Sequence, residues 1–141
     1  MLQDELQQKI IAANAGTYIH LKGSSPDIMY EYLNCSLLVL TSRYEGFPMA
    51  LLEAMACGVP CVTYDCPFGP RSMITNMRNG ILVEEGDKKE MVDKINYLIE
   101  NEQIRKEMGK KARINVQRFA EDVIMQQWIQ LFNNLLNGTK Q

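Results

Sequence analysis

The sequence predicts an α/β domain built on a parallel sheet, with a helical C-terminal portion. Three observations carry that expectation. Four short runs, each apolar throughout and closed by turn residues, recur between residues 17 and 86. Runs of about four residues without alternation suit strands covered on both faces. Helical segments separate these runs, and strand, helix, strand in succession is the pattern of a parallel sheet with right-handed crossovers. After residue 86 the apolar residues recur only at helical spacing.

The chain opens on Leu2, Leu6 and Ile10, an amphipathic helix, where a doubly wound domain normally opens on its central strand. The opening strands of a sheet are therefore expected to be missing. Tyr18-Ile19-His20-Leu21 reads as the first strand and ends at Gly23. Pro26-Asp27 opens a helix with Ile28, Met29, Tyr32 and Leu33 on one side. Leu37 to Leu40 is the second strand. Pro48 then opens a helix that Gly58 closes, with Pro60 just beyond, the expected asymmetry of proline at the start and glycine at the end. Cys61 to Tyr64 is the third strand, a short helix follows Pro70, and Ile81-Leu82-Val83 is the fourth strand.

Residues 87–100 place Met91, Ile95 and Leu98 on one helix face, and residues 102–118 carry a narrow stripe of Ile104, Met108 and Ala112. Residues 120–136 repeat Val123/Ile124, Trp128, Leu131/Phe132 and Leu135, a stripe read as packing into a core. The expected organisation is one domain over 1–136, with residues 1–86 forming its α/β region and 87–136 its helices, and with 137–141 a frayed tail.

Composition bounds the function. The chain has 141 residues, 46% hydrophobic and 23% charged, with a net charge of −2, which is ordinary for a soluble globular domain. Neither a nucleic-acid backbone grip nor a broad anionic-membrane patch is implied. No apolar run approaches the roughly 20 residues of a membrane span, and the polar start Met1-Leu2-Gln3-Asp4-Glu5 is not a signal peptide. A cytoplasmic chain is expected. Cys35, Cys57, Cys61 and Cys66 match no common zinc spacing and read as reduced structural thiols.

The informative stretch runs from Thr41 to Pro60, beginning where a buried strand ends, and ligands of open α/β sheets bind outside those ends. From Met49 to Cys57 the helix is apolar all round except for Glu53. An ionised carboxylate on such a helix is costly unless paired, and no Lys or Arg lies within a helical turn of it. Two readings stand level: a carboxylate accepting from a cis-diol such as a ribose, or one capping amides or bridging to another helix. Gly46 and Phe47 offer no side-chain cap. The first amides and the positive end of the dipole would then suit phosphate oxygens, and Gly46 lets a ligand approach the backbone; capping by water is the plainer alternative. Together with Glu53, the diphosphate-plus-ribose reading is preferred. Glu45 in the preceding loop is equally a sugar ligand or a solvated acid. His20, the only histidine, is discarded as a core or edge residue.

The segment Glu45-Gly-Phe-Pro-Met-Ala-Leu-Leu-Glu-Ala-Met-Ala-Cys-Gly-Val-Pro-Cys-Val closely resembles the signature of glycosyltransferase family four. Tyr64 to Pro70 resembles a loop of bacterial polysaccharide-assembly members, and Asn79 to Val83 followed by Gly86-Asp87 is also similar to the family pattern. The resemblance implies an incomplete half of a GT-B fold, a Rossmann-like sheet of about four strands. It implies retaining transfer from a nucleotide diphosphate-sugar, UDP-sugar foremost, to a saccharide or lipid-linked acceptor in cell-surface glycan synthesis. Glu45 would contact the donor sugar as the catalytic-site acid and Glu53 the ribose. The amides of Gly46, Phe47, Met49, Ala50 and Leu51 would face sugar and phosphates, and Gly23 and Ser24 would lie beside the base. No metal and no cofactor is expected, since positive groups and helix amides take over charge neutralisation.

The chain departs from the family in lacking the glycine-rich segment with its phosphate-binding Arg and Lys, and the acceptor-binding N-terminal domain. Arg71-Ser72-Met73 stands where many relatives carry a glutamate. The isolated chain is accordingly expected to be inactive, and its incomplete sheet to favour self-association. A cytoplasmic full-length protein is expected, with peripheral association at the inner face of the membrane as the option beside it. The competing readings are a GT-B epimerase relative and a non-catalytic α/β binding module.

Overall fold

The computed structural model describes residues 2–138. The chain divides into two compact units, one ending at Glu31 and one beginning at Tyr32.

The first unit contains α1, Leu2–Ala12. The helix is closed by Asn14 at φ 50°, with the Ala15 amide donating to the Ile10 carbonyl and that of Asn14 to Ile11. These are the two bonds of a Schellman cap, with asparagine in the left-handed position usually taken by glycine. The expected strand over Tyr18–Leu21 does not form. The amides of Tyr18 and Ile19 turn back onto the Ala15 carbonyl instead of entering a ladder, and Tyr18 and Ile19 are exposed. An apolar run becomes a strand only where a neighbour accepts its backbone bonds. The sheet therefore has three strands among the described residues. Helix α2, Ile28–Leu33, begins as expected after Pro26-Asp27, with the Asp27 carboxylate accepting from the Tyr30 amide at 3.0 Å. Of its four expected apolar positions only Tyr32 is buried; Ile28, Met29 and Leu33 are exposed.

In the second unit β1 (Leu38–Leu40), β2 (Cys61–Tyr64) and β3 (Ile81–Val83) form a parallel sheet in sequence order. Leu38 stands opposite Cys61, and Val62 opposite Ile81. All of β2 is buried, and its alternation divides the core. Cys61 joins Leu51, Ala54, Met55 and Tyr32 on one face; Val62 and Tyr64 join Ile81, Val83, Met91 and Leu98 on the other. Burying each such aliphatic side chain is worth about 1.5–3 kcal/mol.

Helix α3, Met49–Ala56, lies in the first of these faces. Helix α4, Gly69–Met73, is short. Helix α5, Lys88–Glu100, starts at an Asp87 cap that accepts from the Glu90 amide. Helix α6, Glu102–Asn115, ends in a 3-10 turn over Val116–Phe119. Helix α7, Glu121–Gly138, runs two residues beyond the expected end at 136; the remainder of the expected tail, 139–141, lies outside the described residues. The expectation that the Trp128 stripe packs into a core is overturned: no residue of α7 is buried, Trp128 is 49% exposed, and its ring stacks on Phe132 of its own helix.

Candidate functional site

The site is assembled by two loops at the carboxyl ends of β1 and β2. The first carries Glu45 to Pro48 into α3, and the second carries Asp65 to Phe68 into α4. Glu45 and Phe68 form an isolated parallel bridge, which ties the loops together beyond the sheet. Phe68 adopts φ 74°, and Gly69 follows with no side chain. A Cβ at Gly69 would stand 2.7 Å from Pro48 Cδ and 3.0 Å from Glu45 Cβ. Only glycine lets the second loop press against the first at this point. Around it, Arg71 Nε donates to Asp65, Ser72 Oγ to the Gly69 carbonyl, and the Arg118 guanidinium to the Ser72 carbonyl. Burial pushes the Cys66 thiol up, and the backbone of Glu45 lies beside it.

Helix α3 begins as the sequence predicts. Pro48 occupies the cap position and no side chain accepts from the helix amides. The amide of Leu51 is nevertheless satisfied, donating to the Pro48 carbonyl at 3.0 Å, and the Leu51 side chain is wholly buried. The first turn of α3 closes tightly on this bond. Among the described residues no acceptor takes the amides of Met49 and Ala50. Met49 is exposed, and a Cβ on Gly46 would meet open space. The ring of Phe47 rests edge-on against Phe119, centroids 5.4 Å apart, and the Arg118 guanidinium lies over that second ring.

Glu53 is half-buried one turn into α3, and Tyr32 Oη donates to its Oε2 at 3.2 Å. No donor among the described residues reaches its other oxygen. The bridge to another helix that the sequence left open thus exists, and it occupies one oxygen. Tyr32 is 7% exposed, and its phenol is pushed up to about 12 by burial, then by the Glu53 hydrogen bond and charge. Sequence reasoning placed Tyr32 on an apolar face and missed this contact. The signal was present in principle: a buried tyrosine hydroxyl requires a partner, and so does a lone acid on an apolar helix.

The structure brings Glu45, Gly46, Phe47, Met49, Ala50 and Glu53 onto one loop-and-helix corner; no hydrogen bond links Glu45 directly to Glu53 among the described residues. Gly23, at φ 68°, and Ser24 are exposed in the unit that ends at Glu31. All four cysteines are free thiols. No group of His, Cys, Asp or Glu side chains among the described residues is arranged to hold a metal ion, and no described helix is long and apolar enough to cross a membrane. A hollow of about 230 Å³ lined by Thr75, Arg78, Asn79 and Lys111 opens before β3, at the other end of the strands, and holds none of these residues.

The pattern of the family described as glycosyl transferases group 1 matches residues 2–115. The chain is 38% identical over 120 residues to an exopolysaccharide phosphotransferase of Streptomyces coelicolor, covering 84% of this chain and 13% of that protein. It is 32% identical over 134 residues to the poly(ribitol-phosphate) alpha-N-acetylglucosaminyltransferase of Staphylococcus aureus, covering 94% and 27%. The crystal structure of HepE from Anabaena in complex with UDP-glucose superposes with a TM-score of 0.83 at 29% identity, over 93% of this chain and 36% of that one. The chain thus spans little more than a third of these relatives' lengths at most. With the motif, the parallel sheet and the position of the corner in agreement, the chain belongs to the group 1 glycosyltransferases and carries the C-terminal α/β portion of their GT-B fold.

Proposed function

We propose that this chain is the donor-binding portion of a retaining glycosyltransferase. It takes a nucleotide diphosphate-sugar, UDP-sugar in the first instance, and serves transfer to a saccharide or lipid-linked acceptor in cell-surface glycan synthesis. The observation that carries the reading is the Glu53 carboxylate. One oxygen is held by Tyr32 and the other has no protein donor among the described residues, one turn from the uncapped Met49 and Ala50 amides. A ribose diol supplies the donors such an oxygen lacks, and a diphosphate supplies acceptors for the amides.

In this reading Glu45 accepts from donor-sugar hydroxyls, and Gly46 and Phe47 offer their amides to the sugar. Phosphate charge is met by amides and the helix dipole, without a metal ion. The relatives named above, one solved with UDP-glucose and one named for N-acetylglucosaminyl transfer, support the donor class. The acceptor belongs to regions of the relatives that this chain does not span.

Calorimetric titration with UDP, UDP-glucose and UDP-N-acetylglucosamine tests the reading. Binding of at least UDP is expected, and Glu53→Ala is expected to weaken it about tenfold or more, the worth of about 1.4 kcal/mol or more in lost charge-assisted bonds. An alanine variant that titrates like the parent would remove the assignment.

A further inference from the structure

Tyr32 lies outside the Glu45–Glu53 segment, yet it makes the one hydrogen bond that the Glu53 carboxylate receives among the described residues. Its ring sits in the core with Leu51, Ala54 and Met55, three residues of the helix that carries Glu53. The ring is therefore held in the same buried core as that helix. Glutamate has three rotatable side-chain bonds, and a half-buried one without a partner samples several rotamers. A hydroxyl held at 3.2 Å from Oε2 selects among them. The tyrosine hydroxyl donates and the carboxylate accepts.

We propose that Tyr32 is a positioning residue for nucleotide recognition: its hydroxyl orients the Glu53 carboxylate toward the ribose diol and thereby sets selectivity for a ribonucleotide over its 2′-deoxy counterpart. This rests on the donor-binding reading above. A carboxylate has about four lone-pair sites; the tyrosine takes one, which leaves enough for a bidentate acceptance from two adjacent hydroxyls. Preorganisation is the gain, since a carboxylate already aimed loses less rotamer freedom when the ligand arrives.

The test uses UDP and 2′-deoxy-UDP as paired probes, titrated into the parent and into Tyr32→Phe, which removes the hydroxyl and keeps the ring. The parent is expected to prefer UDP. In Tyr32→Phe that preference is expected to fall about threefold to tenfold, through weaker UDP binding, with 2′-deoxy-UDP affinity little changed. A general loosening of the fold would weaken both probes alike, and that result overturns the proposal. So does a Tyr32→Phe protein that keeps the parent's preference, which leaves the Glu53 reading standing. A parent that binds neither probe, or binds both equally, defeats the Glu53–ribose reading and the positioning role with it. In a Glu53→Ala background, which removes the acceptor, the Tyr32→Phe change should have no further effect on the preference; an undiminished effect there also overturns the role. Should Tyr32→Phe fold poorly, Tyr32→Leu removes the same hydroxyl and is read by the same ratio.

Discussion

Gly69 touches Pro48 so closely that the two loops of the site have no room for a single added carbon: a Cβ there would stand 2.7 Å from the proline ring. The obstacle is a ring fixed at the start of a helix rather than the free end of a flexible chain, so the backbone must yield. Gly69→Ala is expected to cost about 1–3 kcal/mol, in the range of overpacked sites. Because the displaced atoms carry Glu45 as well, nucleotide-sugar affinity should fall in parallel. Denaturant unfolding and calorimetry on the same variant check the pair of effects; an unchanged midpoint would mean the loops are not in contact.

The end of α3 offers a comparison of two mechanisms in one contact. Gly58 closes the helix at φ 77°, its amide bonding Met55 and that of Val59 bonding Ala54, the two bonds of a Schellman cap. Gly109 of α6 lies directly against the Gly58 carbonyl. An alanine at 58 has room, its Cβ 3.8 Å from the Gly109 oxygen, and suffers only the left-handed backbone, about 1–2 kcal/mol. An alanine at 109 would drive a methyl group into that carbonyl and separate α6 from α3, at about 3 kcal/mol or more. Thermal or urea unfolding of the two variants should rank them in that order.

What could be read in the sequence follows the range of the interactions concerned. Helix α3 was legible from Pro48 and Gly58 because its boundaries are local backbone chemistry, and β1, β2 and β3 were legible because each apolar run does find a neighbour. The same four-residue pattern at Tyr18–Leu21 misleads, since strand formation depends on a pairing partner that composition does not reveal. The tight first turn of α3, closed by the bond from the Leu51 amide to Pro48, has no residue signature. The Tyr32–Glu53 bond spans twenty-one residues and follows from tertiary packing alone.

Helix α7 shows the same limit for a whole face. Periodicity identified the apolar stripe, but periodicity names a face and not what covers it. Among the described residues no side chain of the stripe is fully buried, and Trp128 and Phe132 stack with 5.6 Å between centroids. Trp128→Ala should therefore cost this chain about 1 kcal/mol, the worth of an aromatic pair, rather than the about 3–5 kcal/mol of a core tryptophan. A denaturant titration decides between these values, and a loss near 3 kcal/mol would show the ring to be covered.

The buried phenol of Tyr32 also writes a signature into the alkaline stability of the fold. Its pKa is raised from the ordinary tyrosine value of 10.0 to about 12, first by burial and then by the Glu53 hydrogen bond and charge. A folded pKa above the unfolded one means the folded protein holds the proton more tightly. The resulting contribution is complete below about pH 10, declines from there toward about pH 12, and is gone above it. Two units correspond to about 3 kcal/mol as an upper limit, and between about pH 9 and about pH 11 roughly half of that should be lost. The parent is therefore expected to lose about 1 kcal/mol more than Tyr32→Phe over that interval. The thiols of Cys57 and Cys61, also pushed up by burial, are present in both proteins. Urea unfolding of the two proteins across the alkaline range measures it directly. Parallel curves would mean that the hydroxyl is not buried against Glu53 at all.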